Sequence, residues 1–172
     1  MTKKEKLLVA LDEHLTTTEV VKYVGRMTCG EKSPVICLLH ILPPLPPQLR
    51  EFRGSEDPKM EQKLNRELDR KCQRWTQDAD NAAQALLQKA TSLLSRAGVQ
   101  PDSMETLVHQ SVNHEDLIDD ILEAAKEKKC QTIVVGRSSF SWIKEMLNRH
   151  LADELVRKAS GVTIWVVQES TS

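Results

Sequence analysis

The sequence predicts an α/β domain built on a five-stranded, mostly parallel, doubly wound sheet with helices on both faces. Three observations carry that expectation. Short continuous apolar runs, the pattern of strands buried on both faces, recur along the chain. Stretches with apolar residues three or four apart, the spacing of a helix with one buried face, separate those runs. Aromatic residues make up only 3% of the sequence, so the core must be built from Leu, Ile, Val and Ala.

Lys6 to Asp12 (KLLVALD) is the first apolar run and the first strand. Thr16, Thr17 and Thr18 offer an N-cap to a helix carrying Val20, Val21, Val24 and Met27 at helical spacing, which Gly30 stops. Pro34 to Leu42 (PVICLLHIL) is a second strand, ended by Pro43-Pro44-Leu45-Pro46-Pro47 because proline cannot donate to a ladder. Residues 43–63 read as an irregular, proline-rich and charged insertion leading into a long helix, its prolines a stiff spacer or a docking motif for a proline-reading partner. The helical stripe then runs through Leu64, Leu68, Cys72, Trp75, Ala79, Ala82, Leu86, Ala90, Leu93 and Ala97, with Gly98 as C-cap. Unbroken, residues 64–97 would extend about 50 Å, against a radius of gyration of about 16 Å for a compact chain of this size. A break or a projecting N-terminal half is expected.

Ser103 to Val112 reads as the third strand, and Leu117, Ile118, Ile121, Leu122 and Ala125 as the apolar face of the next helix, its acids early and its lysines late as the helix dipole favours. Gln131 to Gly136 is the fourth strand, Ser141 to Ala159 a helix, and Val162 to Val167 the fifth strand. In such a sheet ligands sit beyond the carboxyl ends of the strands, near the switch point. That directs attention to Asp12 to Leu15, Ile41 to Pro44, Asn113 to Asp116 and Gly136 to Phe140.

A chain of 172 residues fits a single domain. With Lys+Arg of 24 against Asp+Glu of 25, its formal net charge of -1 gives no bulk electrostatic argument for binding nucleic acid or an anionic membrane. The apolar run Leu7 to Leu11 is too short for a secretory signal, and no run is long enough to span a bilayer. Cys29, Cys37, Cys72 and Cys130 show no C-x-x-C spacing and read as reduced thiols of a cytoplasmic protein. Cys37, within an apolar strand, is expected to be unreactive, because burial raises a thiol's pKa.

The segments LLVALD, CLLHIL, ILEAAKEKKCQTIVVG and ADELVRKASGVTIWVV, in that order and spacing, resemble the universal stress protein family over nearly the whole chain. The resemblance implies a Rossmann-like, adenine-nucleotide-binding type of domain, cytoplasmic and homodimeric, the last strand (Val162 to Val167) pairing across a two-fold axis. Members that bind ATP carry glycine, two residues, glycine, nine residues, then glycine followed by serine or threonine. Glycine is needed there because a side chain would stand between the backbone N–H groups and the phosphates. Laid on that frame, Gly136 is kept, Ser139 replaces the second glycine, Arg149 the third and His150 the hydroxyl residue. Asp12 matches the acid that holds the nucleoside, and Ile41 the apolar residue whose main chain contacts adenine. Glu13 and His14 stand where the family commonly has small residues, and Glu115 and Leu117 stand at the places of its Gly-x-Pro.

Each of these residues has a second reading. Asp12 can be a carboxylate that merely ends a strand, Ile41 simply core, and Gly136 a turn residue kept for a positive φ. Arg149 can fill the phosphate site with its own guanidinium or grip a phosphate by a bidentate fork. His150 can add a pH-dependent charge or satisfy a local hydrogen bond. Cys37 and His40, three apart on a strand, face opposite ways and cannot share a metal. His14, His114 and His150 lack a carboxylate or thiolate at ligand spacing, and no metal is expected. Ser138 or Ser139 with His150 lacks a nucleophile elbow and an orienting acid, so no catalytic residue is assigned. The sequence therefore points to a non-enzymatic, homodimeric stress-response protein with a degenerate phosphate site, acting through protein partners and needing no cofactor. The alternative is an ATP-binding switch in which Ser139, Arg149 and His150 replace the phosphate cradle.

Overall fold

The computed structural model describes residues 4–13, 16–30, 33–51, 54–140 and 151–168. Five strands, β1 (Lys6–Leu11), β2 (Val35–Leu42), β3 (Met104–Gln110), β4 (Thr132–Gly136) and β5 (Thr163–Val167), form one sheet in the order β3-β2-β1-β4-β5. All four pairings are parallel. The helices are α1 (Thr16–Thr28), α2 (Pro47–Arg50), α3 (Pro58–Arg96), α4 (Leu117–Glu127) and α5 (Leu151–Lys158).

Strand alternation divides the core. From β1, Leu7, Val9 and Leu11 join Val20, Val21 and Val24 of α1 and Leu87, Ala90 and Leu94 of α3. Leu8 and Ala10 point the other way, toward Leu117, Ile118 and Ile121 of α4 and Leu151 and Leu155 of α5. Because successive strand residues face opposite sides, a run apolar at every position needs cover on both, and the sheet receives it. β5 is an edge strand, and Trp165 on it packs edge-to-face on Tyr23 of α1, with centroids 6.3 Å apart at 84°.

The long helix is continuous over 39 residues, about 58 Å at 1.5 Å per residue. It starts earlier than its apolar stripe because Asp57 caps it, Oδ1 accepting the Lys59 N–H at 3.0 Å, with Pro58 in the first turn. At the other end Gly98, at φ 93°, lets its own N–H reach Ser95 O at 3.0 Å and the Val99 N–H reach Leu94 O at 3.1 Å. This Schellman arrangement ends the helix. The expected break is absent, and the N-terminal half takes the other course: residues 58–82 include none that is buried, whereas Ala83, Leu87, Ala90 and Leu94 lie in the core. Where α1 meets the end of α3, a Cβ on Gly25 would stand 2.7 Å from the Ala97 Cβ, so only glycine allows that approach.

Other boundaries move by a residue or two. Ser103 closes a short 3-10 turn and Ser111 and Val112 have left the sheet, so β3 is shorter than the strand read from Ser103 to Val112. Within 43–63 the chain forms α2 and the first turn of α3, and Cys72 Sγ–H donates to Leu49 O at 3.6 Å, holding α2 on α3. Of the helix expected from Ser141, residues 141–150 lie outside the described residues, and α5 accounts for the rest. Among the described residues no helix is long and apolar enough to cross a membrane.

Candidate functional site

Strand order reverses between β1 and β4, which places the switch point where Asp12 leaves β1 and residues 137–140 leave β4. Leu11 is in register with His40, so Asp12, just past the end of β1, stands level with Ile41 near the end of β2. These are positions that the sequence singled out.

Asp12 is only 8% exposed. Its Oδ2 accepts the Phe140 N–H at 2.5 Å, and its Oδ1 faces the Thr17 hydroxyl at 3.0 Å. That hydroxyl also lies 2.6 Å from Asp12 O and accepts the Asp12 N–H at 3.2 Å. Asp12 is therefore not simply an open carboxylate at a strand end. It clasps the end of β1 to the start of α1 and to the turn after β4. The Thr17 hydroxyl, expected to cap α1, is spent on Asp12 instead.

Gly136 is buried and extended, the last residue of β4 and in register with Val167. The positive φ expected of it falls four residues on, at Phe140, whose φ is 56°. Between them the Ser139 N–H donates to Gly136 O at 3.2 Å and closes the turn. Ser139 is 3% exposed, and its Oγ has no hydrogen-bond partner among the described residues. Ile41 is buried with Leu117 and Ile118, so its side chain is core, which leaves its main chain for any ligand. Arg149 and His150 lie outside the described residues, as does His14.

On the opposite face of β2 from Cys37, His40 is buried, and its Nδ1–H donates to Leu11 O at 3.0 Å. A carbonyl only accepts, so Nδ1 carries the proton; Nε2 is buried without a partner among the described residues. No group of three His, Cys, Asp or Glu side chains suited to a metal occurs among the described residues. Thr17 and Phe140 are what sequence reading missed. Phe140 acts through its backbone N–H, which leaves no mark on residue type, while Thr17 looked like an ordinary cap.

A parallel sheet in this order, with its loops gathered at the switch point, defines a Rossmann-like α/β fold of nucleotide-binding type. The model of the universal stress protein family matches residues 4–168, and the chain belongs to that family. Among solved structures it is similar to a universal stress protein family member from Burkholderia pseudomallei, at 16% identity and a TM-score of 0.63, covering 97% of this chain and 98% of that one. A universal stress protein in complex with cAMP matches at 15% identity and 0.61, with the same coverage. One from Archaeoglobus fulgidus in complex with dAMP matches at 17% and 0.55, over 96% of this chain and 98% of that one. At such identities these likenesses establish the fold. No curated protein matches the chain closely enough to count as a relative.

Proposed function

We propose that the chain is a non-enzymatic universal stress protein domain with a rewritten phosphate site, homodimeric through β5 and acting through protein partners. The observation that carries this reading is the Asp12 clasp: the one retained acid of the nucleoside site already binds the chain's own Thr17 hydroxyl and Phe140 N–H. The replacement of two glycines and a hydroxyl residue by Ser139, Arg149 and His150 supports it. Protein purified without added nucleotide, then denatured, should release none, and calorimetry with ATP and Mg²⁺ should show no heat of binding. Micromolar ATP binding overturns the reading. Light scattering after size exclusion at low micromolar concentration should give a dimer, and a strict monomer removes that part.

A second reading is an adenine-nucleotide switch for ligands with a single phosphate. It is favoured by the buried Ser139 Oγ at the turn, unpartnered among the described residues, and by the cAMP and dAMP bound to the two universal stress proteins above. One phosphate needs less of a cradle than three. Titration with AMP and cAMP beside ATP separates the readings, because binding of the monophosphates alone selects the second.

A further inference from the structure

The projecting half of α3 carries its positive charge on one side. Lys59, Lys63, Arg66, Arg70 and Arg74 follow one another at intervals of three or four residues, which places all five within about 80° of the helix circumference and along about 22 Å of its axis. All are exposed. The band they occupy lies opposite the half-buried stripe of Leu64, Leu68 and Trp75. Because α2 packs on the Leu64 and Leu68 side, it leaves the band uncovered. The five carboxylates of α3 fall outside it: Glu67 and Asp78 along one shoulder, Asp69 and Asp80 along the other, and Glu61 on the far side.

Two features separate this ridge from an ordinary solvated helix face, on which acids and bases interleave. Several cations elsewhere are paired: Glu105 is met by Lys6 Nζ at 3.0 Å and Lys128 Nζ at 3.8 Å, and Glu154 by Arg157 at 2.7 Å. None of the five ridge cations meets a carboxylate among the described residues. The same face then continues toward the core as Gln77, Asn81, Gln84 and Gln88, exposed amides with no charge of either sign between them on that face. Cations followed by amides are the donors that suit phosphate oxygens. The charge is also local. Between Lys59 and Arg74 six cations stand against three carboxylates, while the whole chain carries -1, so the remainder is net negative. Arg74 lies about 13 Å along the axis from Ala83, where α3 enters the core, which exceeds the Debye length of about 8 Å at physiological ionic strength.

We propose that this ridge binds a nucleic-acid duplex, gripping its phosphate backbone without reading its sequence. Shape favours a duplex. An α-helix about 10–12 Å across matches a B-DNA major groove about 12 Å wide, and residues 58–82 provide about 37 Å of helix clear of the core to lie along it. A single strand is held by bases stacked on aromatic side chains. The ridge has none, because Trp75 lies on the apolar side. A helix that lies on a bilayer buries its apolar face and keeps its cations within reach of the headgroups; here the two stripes are opposed, so a bilayer can take one but not both. This surface is separate from the switch point and does not depend on whether a nucleotide binds there.

The test is fluorescence anisotropy of a labelled DNA duplex of mixed sequence, about 24 base pairs long, titrated with the full chain at salt concentrations from about 50 to about 200 mM. With five phosphates neutralised, affinity should fall about 500-fold over that range. Arg66→Gln/Arg70→Gln removes two contacts from an exposed face and should bind more weakly, with a fall of only about 40-fold. Lys126→Gln/Lys129→Gln makes the same change of net charge around the end of α4 and should leave binding as it was. The proposal is overturned if the duplex does not bind at the lowest salt. It is equally overturned if the two double variants weaken binding alike, since net charge and not the ridge is then responsible. Displacement of the duplex by phosphatidylserine vesicles or by polyglutamate, as effective per charge as unlabelled duplex, also overturns it and assigns the ridge to a membrane or an acidic protein.

Discussion

Asp12 and Glu105 stand at opposite ends of the sheet, and each joins separate parts of the chain. Asp12 is almost wholly buried and engages a hydroxyl and a backbone N–H. The Glu105 side chain is 39% exposed and engages two ammonium groups. By formal charge the second arrangement should be the stronger, but water already screens and solvates its ions, so exposed pairs contribute little. Loss of the Asp12 carboxylate removes a buried acceptor from the Phe140 N–H, which is the costly case, while the Thr17 hydroxyl keeps Asp12 O. Burial, more than charge, sets the energetic weight of a carboxylate.

Four substitutions test that ranking by urea denaturation. Asp12→Ala should lower stability by about 1–3 kcal/mol and speed hydrogen exchange at the Phe140 amide; a loss within the error of the measurement would break the comparison. Asp12→Asn should recover much of it, since the amide oxygen can accept from Phe140 while its N–H₂ donates to Thr17. Thr17→Val keeps the shape and removes the hydroxyl, and should cost about 1 kcal/mol. Glu105→Gln should cost the least at pH 7, under about 1 kcal/mol.

The Glu105 effect also carries a sign. The hydrogen bond from Lys6 holds its carboxyl below the usual carboxylate range in the folded protein. Its contribution is therefore complete above the unfolded value and is lost as pH falls through the folded one. The gap between the wild type and Glu105→Gln should be open at pH 7 and shut in strong acid. A gap that widens in acid would mean that the ion pair is not its source.

Much of the fold was legible because β1, β4 and β5 are short apolar runs, β2 is broken only by His40, and each major helix keeps one periodic face. The stripe that begins at Leu64 concealed the true start of α3, although Asp57 and Pro58 are a cap and first-turn pair readable by residue type. The candidate site was legible only in part. Asp12 was found, but its bond to Phe140 spans 128 positions and falls on a backbone group. Nor does any local pattern relate Cys37 to Glu105, 68 positions away. Cys37 was rightly read as a thiol with a raised pKa, and what the sequence hid was its neighbour.

The strand order has a consequence for how the protein is made. β1 leaves the ribosome ahead of β2 and can pair with it soon after, yet its other edge, Leu7 to Val9, belongs to Thr132 to Val134, which follow much later. Until β4 has been synthesised, the middle of the future sheet is an edge that is apolar on both faces. Such an edge invites pairing with other nascent chains. Completion of the domain should therefore be a late event that waits on the arrival of β4, and ribosome-bound chains ending before residue 132 should be the ones that most need a chaperone.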